Sequence, residues 1–417
     1  MKQKTTLAMI IIVLAVLFTV LPLQAADVEL KQEDLPALWT LQKTVAAPEE
    51  QLPAFSQKLG GKIAGIKNYL INAGGFGLQI NTIQGKDAGE AGKVYGNLVN
   101  ATGNPAQFHL AGNTVIEFVC QNNYVFQKAR DVLGLYDGKE YKYNISFTAA
   151  PLAGMENPME LNRLANLLVK YQVQQNNDYA AAIEGLRGDF TFAERLDISL
   201  PLLAGGRSIF AFSGGVTSRE ENGLVRYTLE KTGGELGIPQ VSVAGEVTVR
   251  PFASYKEDNL DRELYTRETA SWPISNVRVK ELAEQIAAGK KTDREKVEAI
   301  LAWIRQNLSY QGETGSRYGV EQALEQGYGR CLDYTDVMVS LARAAGLPAR
   351  MVLGWVRNMA GHAWVEVYLE GEGWTAVDAT TSWLGVSEDY IPLSISTDGE
   401  IPFTYWMFPT IEQVVEK

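Results

Sequence analysis

The stretch GYGRCLDYTDVMVSLARAAGLPAR, residues 327–350, decides how the last third of this chain is read. Val337, Met338, Leu341, Ala342 and Ala345 recur at the spacing of one helix face, and Gly346-Leu347-Pro348 stops the helix. Cys331 therefore falls at or near the helix start, with Tyr334 and Val337 as packing positions. The first N–H groups of a helix have no partner within it, and with the helix dipole they favour an anion, which raises the thiolate fraction of a cysteine placed there. The same groups can hold an oxyanion once a thiolate attacks a carbonyl. A cysteine in an apolar setting is more often a small core residue, so the stretch alone leaves both roles open.

A nucleophilic thiol needs a base, and the chain has only two histidines. His109, in NPAQFHL, has apolar neighbours and reads as structural. His362 opens HAWVEVYL, whose alternation puts His362, Trp364, Glu366 and Tyr368 on one strand face and Ala363, Val365, Val367 and Leu369 on the other. EGEG, residues 370–373, is a hairpin connection, and WTAVDAT is the returning strand. Asp378, 16 positions after His362, comes back to the histidine's end of that hairpin, where a carboxylate can accept one ring N–H and orient the imidazole. Nucleophile, base and orienting acid are each supplied once. A zinc site needs three or four converging ligands and is not expected.

Farther out, Lys2 and Lys4 precede an apolar run of 17 residues from Leu7 to Leu23, closed by LQAAD. That order predicts a signal peptide over 1–25 and a secreted, periplasmic or cell-envelope location; contact with a membrane is expected only if the segment is kept as an anchor. Without Lys2 and Lys4, 36 basic residues face 49 acidic ones, a formal charge of −13, which excludes nucleic acid as an electrostatic partner. Cys120 and Cys331 lie 211 positions apart in segments that read as different domains, so no disulfide is expected. Three regions follow the signal. An α+β domain over 27–155 carries strands at FGLQINTI and NTVIEFV, a helix opened by Asp87 with Ala91, Val94, Tyr95 and Leu98, and a helix closed by Gly134. A β-rich, sandwich-like region over 156–260 starts with a helix at Asn157-Pro158 and continues as strands in 191–252. The final domain spans 261–417, with an amphipathic helix from SWPISN and a second helix opened by the Thr292–Glu295 capping box and carrying Val297, Ile300, Leu301, Ile304 and Leu308. Neither accessory region carries a metal, phosphate-loop or paired-carboxylate signature.

Together AWIRQNLSY, the Cys331 stretch, GHAWVEVYLEGEGWTAVDAT and DYIPLSISTDGEIPF resemble the transglutaminase-like domain of the papain-type cysteine enzymes, over roughly residues 272–405. The resemblance implies an α+β fold with a papain-like core in which a helix-start cysteine packs on an antiparallel sheet. It matches Cys331 to the family's nucleophile, His362 to its general base and Asp378 to its orienting acid. It implies a thioester acyl-enzyme formed from a protein or peptide substrate without a cofactor, with water as acceptor in a peptidase or amidase and a lysine amine as acceptor in a cross-linking acyltransferase. An inactive docking module is the reading from another class. The family usually has proline after the aspartate, where this chain has Ala379, which loosens a turn and removes no catalytic group. The calcium sites and tryptophan oxyanion donor of animal members find no counterpart in the sequence pattern, and Trp303, Trp355, Trp364 and Trp374 all have packing roles.

Overall fold

The computed structural model describes residues 29–414 apart from 37–38, 74–75, 105–106, 121–122, 136–139, 153–157, 202–205, 213–215, 314 and 358–360. The expected signal segment and Asn157 lie outside the described residues. The chain divides into two compact units, Met1–Asp137 and Gly138–Lys417.

In the first unit, β1 (Trp39–Ala46), β2 (Ile63–Ala73), β3 (Phe76–Gly85), β4 (Phe108–Ala111) and β5 (Thr114–Val119) form an antiparallel sheet of order β1-β2-β3-β5-β4. The helices are α1 (Leu52–Leu59), α2 (Ala88–Thr102) and α3 (Asn123–Val132). Asp87 caps α2 by accepting the Glu90 N–H at 2.8 Å, and Ala91 and Val94 are buried with Ile63, Ile83, Phe108 and Val115. Leu78 and Ile80 are buried as their alternation predicts, whereas Phe76, expected on their face, is exposed at the strand's start. His109 lies half-buried on β4 opposite Ile116, and burial with the nearby Arg130 charge holds its pKa below the ordinary histidine value.

The second unit begins with β6 (Tyr141–Pro151), α4 (Pro158–Gln174), α5 (Asn177–Arg187) and five further strands: β7 (Arg195–Pro201), β8 (Gly206–Phe212), β9 (Val216–Glu221), β10 (Leu224–Glu230) and β11 (Val241–Val249). It continues through α6 (Arg262–Thr266), α7 (Val277–Ala287), α8 (Asp293–Asn307), β12 (Ser309–Tyr310), α9 (Val320–Gln326), β13 (Tyr328–Gly329) and α10 (Cys331–Ala344). It ends in β14 (Ala349–Val356), β15 (Gly361–Leu369), β16 (Gly373–Asp378), β17 (Trp383–Leu384), β18 (Tyr390–Ser396) and β19 (Phe403–Gln413). The sheets are β7-β10-β9, β19-β6-β11-β8, the parallel pair β12-β13, and the antiparallel β17-β16-β15-β14-β18.

These pairings cross the boundaries expected at 155 and 260. The last strand of the chain, β19, hydrogen-bonds β6, which in turn pairs with β11. Tyr143, Ile145 and Phe147 of β6, Leu196 and Ile198 of β7, Val243 and Val247 of β11, and Ile391, Leu393 and Phe403 share one buried core. A composition shift marks where strands begin, but not which distant strand completes the sheet, so the β-rich region and the final domain form one unit. The strands of the β-rich region expected over 156–260 are divided between two sheets, with β9 as an edge strand beside β10. Among the described residues, no helix is long and apolar enough to cross a membrane.

Helix α10 is the centre of the second unit's last third. Every residue from Asp333 to Arg343 is buried, and α7, α8, β14 and β15 all pack against the helix. The neighbours are built as their sequences predict: Asn276 caps α7, and Thr292 and Glu295 cap α8 reciprocally, with Val297, Ile300, Leu301 and Ile304 buried. Because α10 is enclosed on all faces, its polar side chains need internal partners. Asp336 accepts two bonds from Arg317, at 2.6 and 2.7 Å, and one from the Trp272 indole at 2.9 Å. Arg343 donates to the carbonyls of Ala349, Arg267 and Thr397 and lies over the Trp272 ring at 4.3 Å. Asp336→Ala leaves the Arg317 guanidinium buried without its partner, and equilibrium denaturation is expected to show a loss of about 3–5 kcal/mol.

Candidate active site

The site begins at the first residue of α10. Arg330, the cap, is extended (φ −110°, ψ −174°), and its N–H donates to Asp333 Oδ2 at 2.8 Å. Asp333 Oδ1 accepts the backbone N–H groups of Tyr318 and Gly319, so one buried carboxylate ties the preceding loop to the helix start. Gly329 is needed for this approach, because a Cβ there would lie 2.5 Å from Cβ of Asp333. Cys331 is thereby held as the first helical residue. Neither it nor Cys120 forms a disulfide.

His362 is the second residue of β15. The pairing of Val365 with Val377 sets the β15–β16 register and returns Asp378 to the histidine's end, as the hairpin reading expected. His362 Nε2 lies 3.0 Å from Asp378 Oδ2. The His362 side chain also hydrogen-bonds Cys331, whose sulfur receives the Ala363 N–H as well. With Nε2 turned to Asp378, Nδ1 is the ring nitrogen left for the sulfur. Cys331, His362 and Asp378, named from sequence spacing, are thus brought into one chain of contacts.

The electrostatics follow from that chain. Burial pushes the Cys331 thiol up, but the His362 bond and charge and the Ala363 N–H outweigh it and hold the thiol below its ordinary value. Burial alone would lower the imidazole, yet the Asp378 charge and hydrogen bond, reinforced by Cys331, raise it to about 10. Asp378 is fully buried, which by itself raises its pKa, but His362, Tyr390 and the Thr380 N–H bring it below the usual carboxylate value. These shifts favour the thiolate and the imidazolium over their neutral forms, beside a carboxylate that ionises more readily than a free one.

Several residues without a role in the sequence reading shape the site. Tyr390 donates its hydroxyl to Asp378 Oδ2 at 2.6 Å. Trp364 stacks beside His362, with centroids 6.3 Å apart and planes at 25°, and meets Tyr390 edge-on at 5.4 Å. That indole needs Gly354, the cross-strand partner of His362: a Cβ there would lie 2.4 Å from the Trp364 ring and 2.3 Å from the Ile391 carbonyl. Tyr310 hydrogen-bonds Cys331, and the Arg330 guanidinium lies 4.6 Å over its ring. Tyr390 lay inside a stretch that carried the resemblance, and Tyr310 ended another, but neither spacing nor periodicity singled them out. Both faces of β15 are covered: residues 363–367 are all buried, and Glu366 is bonded to the buried Arg350 at 2.8 Å. Among the described residues, no group of three or more His, Cys, Asp or Glu side chains could hold a metal ion.

Residues 280–379 match the family model of the transglutaminase-like superfamily. This chain contains a transglutaminase-like domain. Its α+β fold, with the helix-start cysteine packed on an antiparallel sheet, is the architecture expected from the resemblance. An uncharacterized protein of Mycobacterium leprae is 30% identical over 142 residues, covering 31% of this chain and 49% of its own. A protein-glutamine gamma-glutamyltransferase of Pseudomonas aeruginosa is 37% identical over 65 residues, 12% of this chain and 10% of its own. The chain thus spans half or less of the length of these curated relatives. The periplasmic domain of TgpA from Pseudomonas aeruginosa aligns with a TM-score of 0.31 at 18% identity, covering 46% of this chain and 77% of that one.

Gly354→Ala tests the packing beneath the imidazole. The added methyl has no space between the Ile391 carbonyl and Trp364. A stability loss of about 1–3 kcal/mol is expected in denaturant titration, together with slower alkylation of Cys331 as His362 loses its support.

Proposed function

We propose that this protein is a cysteine hydrolase that cleaves peptide or amide bonds of a protein or peptide substrate through Cys331, His362 and Asp378, in the periplasm, the cell envelope or outside the cell. The observation that carries the reading is His362 bridging the Cys331 sulfur and the Asp378 carboxylate. The leader-like segment over 1–25 supports the location.

In this mechanism the Cys331 thiolate attacks the substrate carbonyl carbon, and free N–H groups at the start of α10 receive the developing oxyanion. The His362 imidazolium gives a proton to the departing amine as the C–N bond breaks, leaving a thioester and a neutral imidazole. Water then gives a proton to His362 and attacks the thioester. Collapse breaks the C–S bond, releases the acid and restores the ion pair. Asp378 stays ionised and keeps the imidazole oriented throughout.

A primary amine in place of water would give an amide, and the match to a glutamyltransferase favours testing that second reading. Turnover of a casein-derived peptide mixture with and without a small primary amine separates the two: free acid alone supports hydrolysis, and amine incorporation supports transfer. Cys331→Ala is expected to abolish either product while leaving the melting temperature within a few degrees of the parent. Unchanged turnover in that variant overturns the nucleophile.

A lowered thiol pKa leaves more of Cys331 ionised below the ordinary thiol value of about 8.5, so iodoacetamide should alkylate it faster than a free thiol at the same pH. Turnover should fall as pH passes about 10, where His362 loses the proton it gives to the leaving group. Slow alkylation that follows a free-thiol profile would favour the inactive docking module instead.

A further inference from the structure

We propose that Tyr390 is a positioning residue of this reaction, holding the Asp378 carboxylate in the orientation and charge state that keep His362 paired with Cys331. The inference rests on the triad reading above. Asp378 is fully buried and has three donors: His362 Nε2 at 3.0 Å and the Tyr390 hydroxyl at 2.6 Å share Oδ2, and the Thr380 N–H reaches Oδ1 at 2.9 Å. Two of these donors are neutral. They remain when His362 has given its proton to the leaving group, the moment at which a buried carboxylate would otherwise stand opposite an uncharged imidazole. Of the two neutral donors, only Tyr390 bonds the oxygen that faces His362, and so fixes its approach angle.

The placement of Tyr390 is built rather than incidental. It is the first residue of β18, 5% exposed, and faces Val356 across the β14–β18 pairing. Its ring meets Trp364 edge-on at 5.4 Å and His362 at 6.0 Å, so a single aromatic side chain supports the imidazole through its edge and the carboxylate through its hydroxyl. The ionisable groups around the carboxylate are His362 on β15, Cys331 on α10 and Tyr310 on β12, the last two felt through charge rather than contact. Beside Tyr390 on its own segment, Asp389 pairs with Arg357 at 2.8 Å and Glu388 is buried. A carboxylate that loses its hydroxyl donor binds a proton more readily and attracts the imidazolium more strongly. The first effect raises the pH at which the ion pair forms, and the second raises the pH at which His362 gives up its proton.

Tyr390→Phe keeps the ring and removes only the hydroxyl. The readouts are the pH dependence of iodoacetamide alkylation of Cys331 and the imidazole titration of histidine-labelled protein by NMR, in which only His109 and His362 contribute. The acid limb of alkylation and the His362 titration are expected to move upward by about one pH unit, the scale of one hydrogen bond to a charged group. On an Asp378→Asn background the same substitution should move neither, because the group through which it acts is gone. A lowered plateau with unmoved limbs, or an equal effect on both backgrounds, makes Tyr390 a packing residue and overturns the proposal while the triad stands. A parent protein whose Cys331 alkylates with a free-thiol profile overturns the triad reading instead.

Discussion

The constraint on which the second unit depends is the burial of α10 from Asp333 to Arg343. A helix enclosed on every face cannot leave Asp333, Asp336 or Arg343 to water, and each unpaired charge would cost several kcal/mol. The fold answers with partners from other elements: Arg317 and Trp272 for Asp336, three backbone carbonyls for Arg343, and the backbone of the preceding loop for Asp333. Those bonds fix the helix in rotation and translation. Its first residue, Cys331, is then held in place relative to the sheet.

The sheet has its own buried charge at the opposite end of β15. Arg350 is fully buried, bonded to Glu366 and the hydroxyls of Tyr255 and Tyr265, with its guanidinium 3.8 Å from the Trp374 ring centroid. The segment holding Tyr255 and Tyr265 is therefore stitched to the hairpin that carries His362 and Asp378. A thiolate–imidazolium pair needs its partners placed to within tenths of an ångström, and rigidity at both ends of the hairpin is a physical route to that placement. The placement of Cys331, His362 and Asp378 and the packing of the fold draw on the same set of satisfied polar groups.

Much of this was legible from local pattern. Capping residues predicted α2 and α8, because an N-cap is a short-range device whose donor and acceptor lie within four residues. The hairpin from His362 to Asp378 was legible because a short connection between alternating strands forces them antiparallel. The sheet containing β6, β11 and β19 was not, since strand partners separated by hundreds of residues leave no local mark. Nor was the buried face of Glu366: alternation assigns side chains to faces without saying that a second layer covers the polar one.

By itself, then, the sequence determined the helix start at Cys331, the strand that bears His362 and the return of Asp378, each a consequence of spacing, turn chemistry and chain direction. Only the tertiary structure decided that these three meet, that the carboxylate is fully buried, and that Tyr390, Trp364 and Gly354 complete the support. The reason is that pKa and reactivity depend on desolvation and on charges a few ångströms away. Those distances are set by packing between elements, which no single stretch of chain contains.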